Sequence, residues 1–327
     1  MTRYLVRRVL YTFVLLLLVS IVSFMVIQLP PGDFLSTYIA SRQEMDAEVS
    51  REEIAAMRAA YGLDRPVYVQ YFRWISSALR GNFGISFQYN RPVAALIGER
   101  LALTVTISLI TLLFTYAVAI PIGIYSATRQ YSIGDYAATV VGFVGLAVPN
   151  FLLALILMFV SYRYLGMSVG GLFSPEYLRA AWSWGKVWDL IKHLPIPVIV
   201  IGTAGTASII RVMRATLLDE LSKQYVITAR TKGVDERTIL FKYPVRIALN
   251  PIVSTIGWVL PAIVSGETIV ALVLDLPTVG PLLLQGLLSQ DMYLSASILM
   301  LLSALTILGM FISDILLAAL DPRIRYD

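Results

Sequence analysis

The sequence predicts an all-α integral membrane protein with about six transmembrane helices. Three observations carry that expectation. Of 327 residues, 57% are hydrophobic and 14% charged, whereas soluble domains hold about 45–50% apolar and about 25% charged residues. Six uncharged runs approach or exceed the length that crosses a bilayer, about 20 residues at ~1.5 Å rise each. Lys and Arg are also unevenly shared among the segments joining those runs, as in chains oriented by basic cytoplasmic loops.

The first run, 9–29, follows a basic opening, MTRYLVRR. It is too long for the h-region of a signal peptide, about 7–15 residues, and reads as a retained helix. The runs 101–128 and 136–162 are long enough to span with tilt. The run 194–210 is short and opens with Pro195 and Pro197; its helix is expected to continue past Arg211 into water. The runs 247–266 and 292–313 complete the set. An even count puts both termini on one side. Segments on that side carry 14 Lys or Arg, against four in the short opposite loops 163–193 and 267–291. The termini are therefore expected in the cytoplasm and 30–100 outside. That long loop exceeds the length over which charge sets topology.

Within 30–100, Ser50-Arg-Glu-Glu53 is a capping box. Ile54, Met57 and Tyr61 follow on one helical face, with Gly62 suited to the stop. After Pro66, VYVQYFRWISSAL reads as an amphipathic helix. It either lies at the headgroup level or packs on the outer ends of the spans. The segment GETIVALVLDLPTVGPLLLQGLLSQD is too broken for a seventh span and reads as an outer plug or gate, or as a passive cap. No linker or 20–50-residue repeat divides the chain, so 1–327 reads as one membrane domain.

The chain lacks the usual catalytic constellations. It has no cysteine and one histidine, His193, which excludes thiolate and multi-histidine metal centres. Neither G-x-x-x-x-G-K-[ST] nor G-x-S-x-G occurs; the lone Gly185-Lys186 pair precedes Val187. No cofactor or metal site is expected, and His193 reads as an interfacial loop residue. The net charge of +5 reflects cytoplasmic arginines rather than nucleic-acid binding. The spans carry no charge, which argues against ion-coupled secondary transport. Pro149-Asn150 interrupts the third span, as a tolerated kink or as a bend beside a substrate path. The cluster GTAGTAS at 202–208, with Thr203 and Thr206, suits close helix packing or a polar path lining. Glu267 at the outer end of the fifth span is a further gate candidate.

The most charged stretch between two apolar runs is YVITARTKGVDERTILFKYPVR, 225–246, with five basic and two acidic residues. Leu221, Tyr225, Val226 and Ala229 fall at helical spacings on one side. Gly233 can end a helix in the left-handed conformation, and Asp235 can cap a second short helix running to Pro244. An apolar stripe beside a charged face suits docking into a partner's groove, or a hairpin packed back on its own domain.

This stretch resembles the cytoplasmic EAA loop of binding-protein-dependent ABC importer permeases. It is closest to the dipeptide, oligopeptide and nickel branch, which typically shows Ala-Arg-x-Lys-Gly, here Ala229-Arg230-Thr231-Lys232-Gly233. Arg246, Ala248 and Pro251 look like the later part of that motif. The opening RYLVRRVL, the Pro-Gly-Asp at 31–33, GLDRPVYVQYFRWISSALRGNFGISF, the VPNF break, ETIVALVLDLPTVGPLL and the ending LAALDPRIRY extend the resemblance over nearly the whole chain. One departure is Ile227, which stands where the wider family has its name-giving glutamate; no acidic contact is assigned there.

The resemblance implies a type I importer permease fold, with 219–246 as the coupling loop. It implies a second similar permease chain, two ATPase subunits and an extracytoplasmic solute-binding protein as partners. Tyr225, Ala229, Arg230, Lys232, Gly233 and Glu236 would couple to the ATPase. Ala229 and Gly233 would be the tight-fit positions; Arg230, Lys232 and Glu236 would make polar rim contacts. Short peptides are the leading substrate class, with oligosaccharide or nickel as alternatives. A stand-alone six-helix channel or facilitator is the competing class; it would need no docking loop.

Overall fold

The computed structural model describes residues 2–28, 35, 39, 50–61, 64–166, 170–266 and 268–320. Among these the structure is helical, apart from a single antiparallel bridge between Ile85 and Pro92. In chain order the helices are α1 (Thr2–Gln28), α2 (Arg51–Tyr61), α3 (Val67–Ala78), α4 (Val93–Thr128), α5 (Ile133–Ala147), α6 (Asn150–Leu165) and α7 (Trp184–His193). They continue as α8 (Pro195–Leu221), α9 (Gln224–Thr231), α10 (Glu236–Lys242), α11 (Pro244–Gly266), α12 (Thr268–Val273), α13 (Val279–Leu288) and α14 (Met292–Leu320). Among the described residues, Val93–Thr128, Pro195–Leu221 and Met292–Leu317 are long and apolar enough to cross a membrane. The pair α5–α6 is a fourth candidate, bent by 104° at its break.

That break is where the continuous apolar run 136–162 departs from a single rod. Val148 closes α5 in an extended conformation, and Pro149 precedes α6 with φ −58° and ψ 134°. Proline has no N–H to give and disfavours helical geometry in the residue before it. One apolar run therefore makes two helices. By contrast, the short run 194–210 belongs to a helix that passes Arg211 and reaches Leu221.

The chain divides into two compact units, one of 1–104 with 278–305, the other of 105–277 with 306–327. In the first, α3 lays one face on α1: the Phe24 ring lies 5.5 Å from Tyr71 and 5.7 Å from Trp74. Gln70, Trp74 and Ala78 are buried, while Tyr68 and Phe72 face out. Of the two readings of this amphipathic segment, packing on the spans accounts for the Trp74 face. Val93, Leu96 and Ile97 of α4 pack with Val279 and Leu282 of α13 and with Leu294 and Ile298 of α14.

Asp291 secures this unit. It is wholly buried at 0% exposure. Its carboxylate accepts from the Ser86 hydroxyl at 2.5 Å, the Gln88 N–H at 3.1 Å and the Leu294 N–H at 3.2 Å. Burial pushes the Asp291 carboxyl above its usual value, although these hydrogen bonds pull it down. Asp291→Ala removes the acceptor from the Ser86, Gln88 and Leu294 donors among others and is expected to cost about 3 kcal/mol, read as thermal unfolding in detergent. The pH dependence follows from the raised value. Ionisation works against the fold, so the contribution is full below the unfolded pKa and declines as pH rises through the folded one. Lowering the pH from about 7 towards about 4 should therefore raise the stability of the native chain relative to Asp291→Asn.

In the second unit α8 is the central helix. It packs on α11, α5 and α6. Ala119 and Ala127 of α4, Met213 and Leu217 of α8, and Ala248 and Ile252 of α11 form one buried cluster. The small residues of 202–208 permit close approach. A Cβ on Gly202 would lie 3.0 Å from Phe114 and 3.1 Å from the Thr115 hydroxyl, and one on Gly145 would lie 2.8 Å from the Thr203 methyl. At the far end of the unit, α7 is fastened by Asp189, which accepts from the N–H and hydroxyl of Ser174, both at 2.7 Å. Burial would raise its pKa; the Ser174 bonds, His193 and Lys192 outweigh that and leave it low. His193 Nδ1 lies 2.8 Å from the Asp189 carbonyl oxygen, which anchors the side chain.

Of the segment 267–291, the described part, 268–291, holds two short helices. Thr268–Val273 packs on α6 within the second unit, and Val279–Leu288 contributes Val279 and Leu282 to the core of the first. Glu267 lies outside the described residues, as do Pro31–Asp33, Gly62 and the end of LAALDPRIRY.

Candidate functional site

The candidate site is the chain between α8 and α11. Helix α8 ends at Leu221, and Ser222 closes it with its hydroxyl on the Asp219 carbonyl. Lys223 turns extended and α9 begins at Gln224. The eight-residue helix stops at Thr231, and Gly233 takes φ +72°. Left-handed backbone costs other L-residues roughly 1–2 kcal/mol. The Gly233 and Val234 N–H groups close the end onto the carbonyls of Arg230 and Ala229. Asp235 then caps α10, its carboxylate accepting from the N–H groups of Arg237 and Thr238. Local chemistry thus folds this segment as helix, glycine corner and helix.

The corner is braced from outside. Arg230 Nε lies 2.7 Å from one Glu236 oxygen and Nη2 lies 3.2 Å from the other. The fork spans the glycine and joins α9 to α10. Glu236 holds the Arg230 guanidinium protonated above its usual value. Both side chains are well exposed, so the bracket adds orientation more than stability. A Cβ on Gly233 would meet nothing within 4 Å; in this chain the corner faces open space. Lys232 is exposed beside it.

The apolar stripe divides. Val226 is 0% exposed, and Ile239 of α10 is buried too. Tyr225 is exposed; its hydroxyl donates to Glu220 at 2.7 Å and its ring stands edge-on to Tyr243 at 6.5 Å. Ala229 is half-buried. The outward apolar group is instead Ile227, 44% exposed, which helical spacing from Leu221 did not pick out. Each of the two short helices buries one apolar side chain, Val226 on α9 and Ile239 on α10.

A second constellation, missed in the sequence, lies on α8 seven residues before its end. Arg214 donates from Nε and Nη2 to the two oxygens of Asp135, each at 2.9 Å. Asp135 is 2% exposed and also accepts from the Ser126 hydroxyl and, at 2.9 Å, the Tyr131 N–H. One carboxylate thereby ties the end of α4, the start of α5 and the lower part of α8. The signal available was only Asp135 in the first turn of a helix capped by Ser132; its partner is 79 residues away.

The other candidates fall within the helical body. Pro149 sits at the 104° bend and Asn150 opens α6. The Thr203 hydroxyl donates to the Ile199 carbonyl at 2.5 Å. The Thr206 hydroxyl is buried without a hydrogen-bond partner, as is that of Thr111 on α4. The fold does not bring Pro149, Thr203 and Thr206 into one polar cluster with the coupling segment. Among the described residues, no group of three His, Cys, Asp or Glu could hold a metal ion.

Comparison with known proteins bears on what this arrangement serves. The model of the binding-protein-dependent transport system inner membrane component matches residues 119–326, and that of its N-terminal part matches 1–109. The oligopeptide transport system permease protein AppB of Bacillus subtilis is 34% identical over 328 residues, covering 100% of both chains. A putative peptide permease protein of Brucella ovis is 33% identical over 99% of both, and the oligopeptide transport system permease protein OppB of Mycobacterium bovis is 30% identical over 99% of both. A chain of the methionine ABC transporter MetNI, solved in inward-facing conformations, superposes with a TM-score of 0.52 at 17% identity, over 69% of this chain and 96% of that one; it speaks for the fold. The chain is thus a multi-pass membrane permease with the type I importer fold, and it belongs to the family of binding-protein-dependent transport system inner membrane components.

Proposed function

We propose that this chain is the transmembrane subunit of an ATP-driven importer of short peptides. In this reading it is paired with a second, similar permease and served by two ATPase subunits in the cytoplasm. A binding protein on the outer side delivers the solute. Both termini and the 219–246 loop face the cytoplasm. The peptide assignment draws on the names of the full-length relatives. The observation that carries the coupling role is the braced corner at Gly233: exposed, built by local rules, and continuous with α8 on one side and α11 on the other.

The work would pass as follows. Helix α9 sits in a cleft of the ATPase, with Ala229 and Gly233 at the closest approach. Arg230, Lys232 and Glu236 make the polar rim and Tyr225 stands at its edge. Closure of the ATPase pair on ATP moves the cleft and α9 with it. Helices α8 and α11 share a buried cluster, so they tilt together rather than separately. The Asp135–Arg214 pair makes α5 follow. Pro149, Asn150, Thr203, Thr206 and Glu267 are the positions proposed along the path or gate it opens. The shift is driven by binding energy that differs between the two states.

The test is uptake of a labelled short peptide into proteoliposomes holding the assembled complex. Uptake is expected to require the binding protein and ATP on the cytoplasmic side, and tagged chain should co-purify with ATPase subunits. Peptide flux that persists without ATP and without ATPase subunits would make this a channel and end the proposal.

A further inference from the structure

Within the first unit, helices α1, α3, α4 and α14 line an open groove of about 620 Å³. Its walls are apolar but for Ser20 and Ser297. Both hydroxyls are already engaged: Ser20 donates to the Leu17 carbonyl at 2.8 Å and meets the Tyr71 hydroxyl at 2.9 Å, and Ser297 lies 3.4 Å from the Trp74 indole N–H. Ordered water needs two to four polar partners, so this space is not built for water.

Gln28 Nε2 lies 2.7 Å from Met292 Sδ, which marks a common level on α1 and α14. From there the lining residues Leu17 and Leu301 lie roughly 15 Å along their helices, at ~1.5 Å per residue. On the third side the rim is formed by Leu79 and Phe83, in and after the turn that ends α3. Leu79 is 80% exposed. Between these two rim residues stands Arg80, exposed and without an ion-pair partner among the described residues. Gly98 of α4 lines the space, and a Cβ there would meet nothing within 4 Å.

An apolar slot with an exposed, unpaired cation next in the chain to its rim residue Leu79 matches a molecule with one anionic head and a hydrocarbon tail. We infer that this groove holds an acyl chain of an anionic phospholipid, with its phosphate against Arg80. Filling the slot with hydrocarbon restores dispersion contacts that an empty space forfeits, and the guanidinium supplies the head-group contact. The lipid is then a structural part of the first unit, holding α1 against α14. This assignment does not depend on what the chain transports.

The test uses the full chain in nanodiscs of phosphatidylcholine with a minor fraction of phosphatidylglycerol bearing a diazirine on one acyl chain. After illumination, labelled positions are mapped by mass spectrometry. Labelling at 13–20 and 297–304 is expected to exceed clearly that at the exposed Phe159 face of α6, because a chain held in the slot stays beside those residues while lipid on an open face exchanges freely. Gly98→Phe and, from the opposite wall, Ala304→Phe should each bring the excess down to the Phe159 level. Arg80→Ala should reduce the preference for phosphatidylglycerol over a diazirine phosphatidylcholine by about fivefold, the factor of one surface cation against an anionic lipid. No excess in the native chain would overturn the inference. So would an excess that survives both filling variants, or crosslinks from the Leu17 wall to another protein chain in the assembled complex.

Discussion

Gly233→Trp is expected to lower ATP-driven uptake about thirtyfold or more while leaving the chain inserted and folded. Two effects act at this position and a second variant separates them. The backbone sits at φ +72°, so any Cβ adds left-handed strain of roughly 1–2 kcal/mol. Asparagine tolerates that conformation better than other side chains, so Gly233→Asn should keep the corner and most of the uptake. Nothing in this chain lies within 4 Å of a Cβ at Gly233, so an indole clashes with no neighbour of its own. Its damage must come from the partner that closes over the corner, at the scale of an interface hot spot, about 2 kcal/mol or more. The measurement is uptake and ATP hydrolysis in the same proteoliposomes. Hydrolysis should continue while uptake stops. Normal uptake by Gly233→Trp would show that the ATPase grips elsewhere.

Asp135→Ala is expected to destabilise the second unit by about 3 kcal/mol, near the low end for breaking a buried ion pair because Arg214 keeps some solvent contact. The loss has three parts: the Arg214 fork, the Ser126 hydroxyl and the Tyr131 N–H all lose their acceptor. Arg214→Lys should cost less, since an ammonium keeps a donor but not the two-pronged geometry. Combining Asp135→Ala with Arg214→Ala should cost less than the sum of the two, because no uncompensated charge is left behind. Thermal unfolding of the four proteins in one detergent reads the cycle. Additive losses would mean the two residues act separately. The same variants should raise the ATP consumed per peptide, because α5 would no longer follow α8.

Much of the coupling segment was legible in sequence because its geometry is decided within a few residues. Gly233 ends α9 for want of a Cβ, and Asp235 caps α10 with its own carboxylate. Pro149 announced a break for the same local reason. Its size, 104°, was not announced, since the angle depends on how α5 and α6 each pack on α8. The stripe through Tyr225, Val226 and Ala229 was read as one docking face. Helical spacing says which residues share a side, not whether a neighbour covers it; Val226 is buried while Ile227 beside it stays outside.

By itself the sequence determined the membrane class, the expected orientation, the helix–glycine–helix corner and the family, because composition, charge asymmetry and turn chemistry act over short stretches of chain. Tertiary structure alone decided the Asp135–Arg214 pair across 79 residues, the inward turn of Val226, and the apolar slot beneath Arg80. The ion pair and the slot are meetings of surfaces from helices distant in sequence, and no local spacing encodes which helix will lie against which.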